Sequence, residues 1–208
     1  MVLVLQGYAD PTHQHALDTM FEDRKRLFVD LLGWDVPVVD HIFEIDQYDG
    51  PQAVYLIAID ADRAHAGSLR LLPSSAPHIL DTLFPELCDG PVPIGPTTFE
   101  ITRLCLPPRF RAAERLRIRN QLISAMVDHA LDTGLAVLTG VVTASFREEV
   151  LAMGWRAEAL GLPRRIEGAK LGAFALHLDA DTPRLLEATD LYIANTITDH
   201  APRVPPSV

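Results

Sequence analysis

The sequence predicts an α/β fold: a single domain whose mixed, twisted central sheet is flanked by helices. Two observations carry this. Segments with the alternation of half-buried strands are interleaved with segments whose apolar residues recur every three or four positions. The 208 residues, 48% hydrophobic and 22% charged, also suffice for one domain that buries roughly 70% of its unfolded surface. This composition excludes intrinsic disorder. The 16 prolines and 12 glycines follow no period, which excludes collagen-like and linker architectures.

Taken in order, residues 2–6 (VLVLQ) read as a short strand. From Pro11 to Leu32 the pattern is helical, with Leu17, Met20, Phe21, Arg24, Leu27, Phe28, Leu31 and Leu32 at spacings of three and four, and Gly33 is a stop signal. Residues 35–52 mix Asp, Pro, Gly and His and predict a loop or weak strand. Val54–Ile59 and His65–Leu72 read as paired strands around a turn at Asp60–Arg63. After the break at Pro73–Pro77, His78–Leu83 fits a short helix, Cys88–Pro96 a loop and Thr97–Leu106 a strand stopped by Pro107 and Pro108. Ala112–Thr133 is the longest helix, with an expected apolar stripe of Leu116, Gln121, Leu122, Ala125, Met126 and Ala130. Leu135–Val142 is a buried-type strand, Ala144–Met153 a helix, and Trp155–Leu160 and Ala169–Leu178 the closing strands. The domain is expected to span residues 1–200, with 201–208 a frayed, proline-rich tail.

The net charge of −10 argues against a nucleic-acid partner, because a phosphate backbone repels such a chain. The charge is uneven: residues 1–102 carry 5 basic and 16 acidic side chains, while residues 103–170 carry 11 basic and 7 acidic. That basic middle either docks an acidic partner or a phosphate, or is a compositional accident. Cys88 and Cys105 make no C-x-x-C pair and read as reduced thiols of a cytoplasmic protein. The start lacks a basic region and a small-residue cleavage site, so no signal peptide is expected. No apolar run reaches the ~18 residues of a membrane span.

Common catalytic motifs are absent: there is no G-x-G-x-x-G, Walker loop, H-E-x-x-H or G-x-S-x-G. His13 and His15, two apart, face different sides of a helix, so no metal site is expected. Three stretches remain. Glu44, Asp46 and Asp49 lie within six residues, a set suited to a cationic ligand or, alternatively, a solvated acidic loop. Glu100 on a predicted core strand is either a general base or a structural salt-bridge partner, since an unpaired buried carboxylate is costly. Arg70 either pairs with the acidic cluster or grips a ligand carboxylate. Arg109, Arg111, Arg115, Arg117 and Arg119 form a basic run in which 111, 115 and 119 share a helix face. This is phosphate recognition or a solvated face; with 16 Arg and 2 Lys, Arg is this chain's default cation.

Further residues add a resemblance. Arg24, Phe28, Trp34, Glu44–Asp49 (E-I-D-Q-Y-D), Tyr55, Gly67, Arg70–Pro73 (R-L-L-P), Phe84–Leu87 (F-P-E-L) and Phe99–Arg103 (F-E-I-T-R) follow, in order and spacing, the pattern of the LuxI-type acyl-homoserine-lactone synthases. The match covers roughly residues 20–106; the second half agrees mainly in its strand–helix order. The resemblance implies a fold like that of the Gcn5-related N-acetyltransferases. It also implies an enzyme that joins an acyl chain, donated by acyl carrier protein or coenzyme A, to the amine of S-adenosylmethionine. Lactonisation then expels methylthioadenosine and yields a quorum-sensing signal. S-adenosylmethionine is a substrate, so no cofactor is implied.

By the same resemblance Glu100 is the general base. Arg24, Asp46, Asp49, Arg70 and Arg103 form the polar site, with Phe28, Trp34 and Glu44 on the S-adenosylmethionine side. Phe84, Phe99, Thr102 and Thr143 shape the acyl side, Thr143 being linked to 3-oxo chains. Backbone N–H groups after Arg103 polarise the thioester carbonyl. Phe99 stands where relatives often have Trp, and Thr102-Arg103-Leu104 where they often have Ser-Arg-Phe. The phosphate loop of the acetyltransferases is missing after Leu106, which favours a carrier protein. Arg147, Arg156, Arg164 and Arg165 are then its expected contacts. Two alternatives stay open: an acyl-CoA-dependent N-acyltransferase acting on another amine, and a non-catalytic ligand-binding relative.

Overall fold

The computed structural model describes residues 1–8 and 11–200. The expected frayed tail at 201–208 lies outside them. The chain forms two compact units: Met1–Arg70 with Arg103–Ala125 and the chain from Asn195, and Leu71–Thr102 with Met126–Ala194. Both belong to an α/β architecture with a mixed sheet.

In the first unit, β1 (Val2–Gln6) lies between β4 (Val54–Ile59), antiparallel to it, and β11 (Ile197–His200), parallel to it. β5 (His65–Pro73) follows β4 in the sheet order through the Asp60–Ala64 turn, where Arg63 adopts a positive φ. Val2–Leu5 and Tyr55–Ile57 are buried, so both faces of these strands are covered, the condition under which strands read as continuous apolar runs. Gly67 on β5 sits where a Cβ would stand 2.5 Å from Ile118 Cγ2. The glycine therefore sets how closely α3 (Ala112–Thr133) packs on the strand. Ile118, Leu122 and Ala125 are buried along that helix, whereas Leu116, expected in its apolar stripe, is half exposed. Its place is taken by Ile118, two residues on.

The predicted helix 11–32 is three structures in series: a 3₁₀ turn at Pro11–His13, α1 (Gln14–Arg24) and a π-helical segment at Lys25–Leu31. The wider turn appears as Leu32 N–H bonding to Leu27 O, five residues back. An α-periodic pattern does not reveal one inserted residue, and π segments recur at functional sites. Gly33, at φ +68°, terminates the helix. The region expected to be a loop or weak strand holds a small hairpin, β2 (Val38–Val39) with β3 (Phe43–Glu44), too short to show a period.

In the second unit, the Thr98–Thr102 part of β6 (Thr98–Cys105) runs parallel to β7 (Val137–Thr143) over Thr98–Ile101. β10 (Ala169–His177) is antiparallel to β7 on one side and to β8 (Arg156–Ala159) and β9 (Arg164–Ile166) on the other. Helices α2 (Ile79–Leu83), α4 (Ala144–Leu151) and α5 (Thr182–Glu187) complete it. The sequence did not anticipate β9, α5 or β11. Their three to six residues carry too little period, and β11 exists only because β1, at the other end of the chain, pairs with it. Among the described residues no helix is long and apolar enough to cross a membrane.

Candidate active site

The first unit gathers the three arginines and three carboxylates that the sequence singled out. Arg24, near the end of α1, donates Nε–H to Glu44 Oε2 at 2.6 Å and its two terminal nitrogens to Asp49 at 2.9 and 2.8 Å. Arg70 on β5 reaches Asp46 through both terminal nitrogens, at 2.7 and 3.0 Å, and lies 2.7 Å from Asp49 Oδ1. Arg103 on β6 bridges Glu44 Oε1 and Asp46 Oδ2, at 3.0 and 2.6 Å. Tyr55 donates its hydroxyl to Asp49, and the Asp46 and Tyr48 amides close the loop onto Asp49 and Asp46. The alternatives for these residues are thereby decided: Glu44–Asp49 is no solvated loop, and Arg70 pairs within the cluster.

The electrostatics are those of a closed lattice. Burial works against the charge of Arg24, but Asp49 and Glu44 outweigh it and raise its pKa above the usual arginine value. Burial likewise raises Asp49, yet Arg24 and then Arg70 hold it well below the ordinary carboxylate range. Burial, reinforced by Asp49, pushes the Tyr55 hydroxyl up, so it stays a donor. Three positive and three negative charges cancel, as buried ions require. The cluster thus offers geometry rather than surplus negative charge to a cationic ligand.

Its aromatic border is different. Phe28, on the π-helical segment, is buried and stacks on Trp34 with ring centroids 4.7 Å apart and planes at 13°. The Arg103 guanidinium lies 5.6 and 5.9 Å from the two rings, and Trp34 remains 45% exposed. Arg103 also has φ +51° in the middle of a strand. For a residue with a Cβ this costs of order 1–3 kcal/mol, a strain that structures keep where function needs it.

A second buried network adjoins the first through α1. Asp23 accepts from His65 Nδ1 at 2.7 Å and from Arg109; His65 Nε2 meets Ser68 Oγ at 2.9 Å. Arg109 also donates to the His65 carbonyl. Sequence reasoning missed this network, because His65, Ser68 and Asp23 are 3 and 42 residues apart and only the fold joins them. His65 and Arg109 keep Asp23 ionised below its usual range against the effect of burial. Burial holds His65 below its usual pKa although Asp23 opposes it.

In the second unit, Glu100 is fully buried and its carboxylate accepts the Ile79 and Leu80 amides, at 2.7 and 2.9 Å. Through these two bonds it anchors the first turn of α2. Leu80, Leu87 and Ala173 form an apolar cluster against which Phe84, Val141 and Ile166 pack. Phe99 is half-buried and Thr102 buried on β6. Thr143, expected to shape the acyl side, is exposed and caps α4 by accepting the Phe146 amide.

The expected carrier contacts divide. Arg147 is buried, donates to Gly161 O at 2.8 Å and packs over Gly172, so it is a structural residue. Arg156 is tied to Asp179 and Asp181. Arg164 and Arg165 are exposed on β9. Among the described residues no group of three or more His, Cys, Asp or Glu side chains is placed to hold a metal.

Comparison with known proteins bears on this geometry. The autoinducer synthase family model matches residues 10–187. An acyl-homoserine-lactone synthase of Rhizobium etli is 34% identical over 198 residues, covering 90% of this chain and 93% of the relative. A CoA-dependent acyl-homoserine lactone synthase, BjaI, solved with SAM and isopentyl-CoA, superposes with a TM-score of 0.87 at 23% identity, over 98% of this chain and 95% of that one. An N-acetyltransferase from Lactobacillus plantarum shares the fold, with a TM-score of 0.58 at 16% identity, over 86% of this chain and 99% of that one.

Proposed function

Since the chain belongs to the autoinducer synthase family, we propose that it is an acyl-homoserine-lactone synthase working in the cytoplasm, with residues 1–200 as its domain. It acylates the amine of S-adenosylmethionine from an acyl thioester and lactonises the product, releasing methylthioadenosine. The observation that carries this reading is the neutral Arg24–Glu44–Asp46–Asp49–Arg70–Arg103 lattice bordered by the Phe28–Trp34 stack. A sulfonium ion is attracted to an aromatic face, and the exposed ring of Trp34 supplies one. The lattice holds the surrounding groups to the tolerance that reactions between two bound substrates need.

The amine attacks the thioester carbonyl after losing a proton. Glu100 is the carboxylate assigned to that step; its two amide hydrogen bonds fix its orientation. The N–C bond forms as the C–S bond breaks, and the thiolate leaves. The methionine carboxylate then attacks its own γ-carbon, which the sulfonium already activates. Backbone N–H groups following the kink at Arg103 polarise the carbonyl. Phe84, Phe99 and Thr102 shape the acyl side. No resident cofactor or metal enters the scheme.

The test is incubation of the purified protein with S-adenosylmethionine and a panel of acyl thioesters on coenzyme A and on carrier protein, read by mass spectrometry. Methylthioadenosine together with an N-acyl-homoserine lactone is the expected result. Thiol release without methylthioadenosine would assign another amine as acceptor, and binding of S-adenosylmethionine without any product would assign a ligand-binding role.

A further inference from the structure

The second buried network, Asp23 with His65, Ser68 and Arg109, takes no part in the scheme above. Asp23, His65 and Ser68 are nonetheless as buried as the lattice beside them. The network ties one helix to one strand twice. On α1, Asp23 accepts from the His65 imidazole at 2.7 Å, and Thr19, one turn earlier on the same helix face, accepts from the His65 backbone amide at 3.0 Å. Ser68 on β5 meets the other ring nitrogen at 2.9 Å. Arg109 covers Asp23 with contacts of 2.6 Å to both carboxylate oxygens, and its guanidinium lies 4.7 Å from the Phe110 ring.

Asp23 is the residue before Arg24, and the helical rotation of about 100° per residue sends the two side chains to different partners. Arg24 faces Glu44 and Asp49, and Asp49 is also held by Arg70 of β5. The helix is therefore fastened to β5 at two points, once through Arg24–Asp49–Arg70 and once through Asp23–His65. A single bridge through long arginine side chains lets a helix pivot. A second, through the short stem of Asp23, has few rotamers to lose and fixes the backbone. The position of that second bridge matters, because the π-helical segment starts two residues on, at Lys25. The π turn is the rare form of helix, and a slip of one residue back to the α form would swing Phe28 by about 100°. The far end of the segment is held by the Trp34 amide, which donates to the Phe28 carbonyl at 2.8 Å. Asp23 and Arg24 hold the near end.

Resting on the lactone-synthase reading, we propose that Asp23 and His65 are positioning residues for S-adenosylmethionine: they fix the last turn of α1 so that the π-helical segment presents Phe28, stacked on Trp34, as the aromatic face for the sulfonium. Both residues are buried and act through the Phe28–Trp34 stack rather than by touching the substrate. Arg109 supplies the charge that lets Asp23 stay ionised in that place.

Two measurements test the proposal. In the first, calorimetry with S-adenosylmethionine compares the wild-type protein with Asp23→Asn, which keeps the side-chain shape and removes the charge, and with His65→Ala and His65→Asn. Asp23→Asn and His65→Ala are expected to weaken binding about tenfold, the scale of a small misplacement within a site. His65→Asn, whose amide can donate as Nδ1 does, should recover most of that loss. In steady-state assays the loss should fall on KM for S-adenosylmethionine and leave KM for the acyl thioester unchanged. The second measurement is acrylamide quenching of tryptophan fluorescence. The chain has two tryptophans, Trp34 exposed and Trp155 buried, so quenching reports Trp34. Quenching should increase in Asp23→Asn and His65→Ala as the stack opens. Tyr192→Phe removes a hydrogen bond to Asp128 in the second unit and controls for lost stability alone. It should keep wild-type affinity and quenching. Where His65→Ala fails to fold, Asp23→Asn carries the test. Wild-type affinity in Asp23→Asn, an equal rise in KM for both substrates, or the same loss in Tyr192→Phe overturns the proposal. A wild-type protein that binds no S-adenosylmethionine refutes the lactone-synthase reading instead, and the quenching comparison then decides whether the network sets the stack.

Discussion

The two units bury their functional residues by opposite means. In the first, six charged side chains cancel one another in a hydrogen-bonded lattice, with Arg24, Glu44 and Arg70 nearly inaccessible. In the second, Leu80, Leu87 and Ala173 make an apolar cluster and the buried carboxylate of Glu100 is held by backbone amides. A charged lattice tolerates no partial version, because each ion left without its partner stays buried and uncompensated. An apolar cluster tolerates swaps of similar volume. Identity should therefore be strict in the first and size alone should matter in the second.

The largest effect is expected from Arg24→Ala, which strands Glu44 and Asp49. A loss of about 3–5 kcal/mol follows from removing one partner of a buried pair, read as a fall in the urea midpoint. Arg24→Lys should recover less than half of it, since one ammonium does not reproduce three directed bonds. Full recovery would show that charge alone suffices and would undo the contrast. In the second unit, Leu87→Ala should cost about 2–5 kcal/mol, whereas Leu87→Met should cost under ~1.5 kcal/mol. The same denaturation midpoints check both.

Arg103 sharpens the comparison because its side chain and its backbone make separate contributions. Arg103→Gly and Arg103→Ala remove the same guanidinium, and both should abolish turnover. The glycine variant should be the more stable by roughly 1–2 kcal/mol, because only glycine accepts φ +51° without steric cost. Equal stability would mean that the kink relaxes once the side chain is gone.

The smallest effect is a pH dependence in the Asp23–His65–Ser68 network. His65 titrates lower in the folded protein than its unfolded value of 6.5. It therefore contributes stability that is present above that value and is lost as pH falls through the folded pKa. Asp23, also lowered from 3.8, adds its share at more acid pH. Denaturation midpoints measured from pH 8 down to 5 should decline in the wild type and decline less in His65→Asn. Parallel curves would assign the dependence elsewhere.

Much of the site was legible in the sequence because charge chemistry is local to residue type. Glu44, Asp46, Asp49 and Arg70 stood out as ions in apolar surroundings, and ions in such places must find one another; Arg24 and Arg103 joined them only through the family resemblance. Longer elements were legible too, α3 through the period that burial on one side imposes and β4 and β5 through the apolar runs of strands buried on both faces. The sequence read alone could not separate Arg147 from Arg164, since the difference between a buried brace and an exposed cation is a matter of what packs above each. It also placed Glu100 as a base without the two amides that hold it. The π-helical segment under Phe28, the left-handed kink at Arg103 and the pairing of β11 with β1 were decided only in three dimensions. Each satisfies groups that lie far apart in the chain or accepts a local cost that neighbouring packing repays. Residue types thus determined which charges and apolar faces had to be buried, and tertiary packing decided which partner each one found.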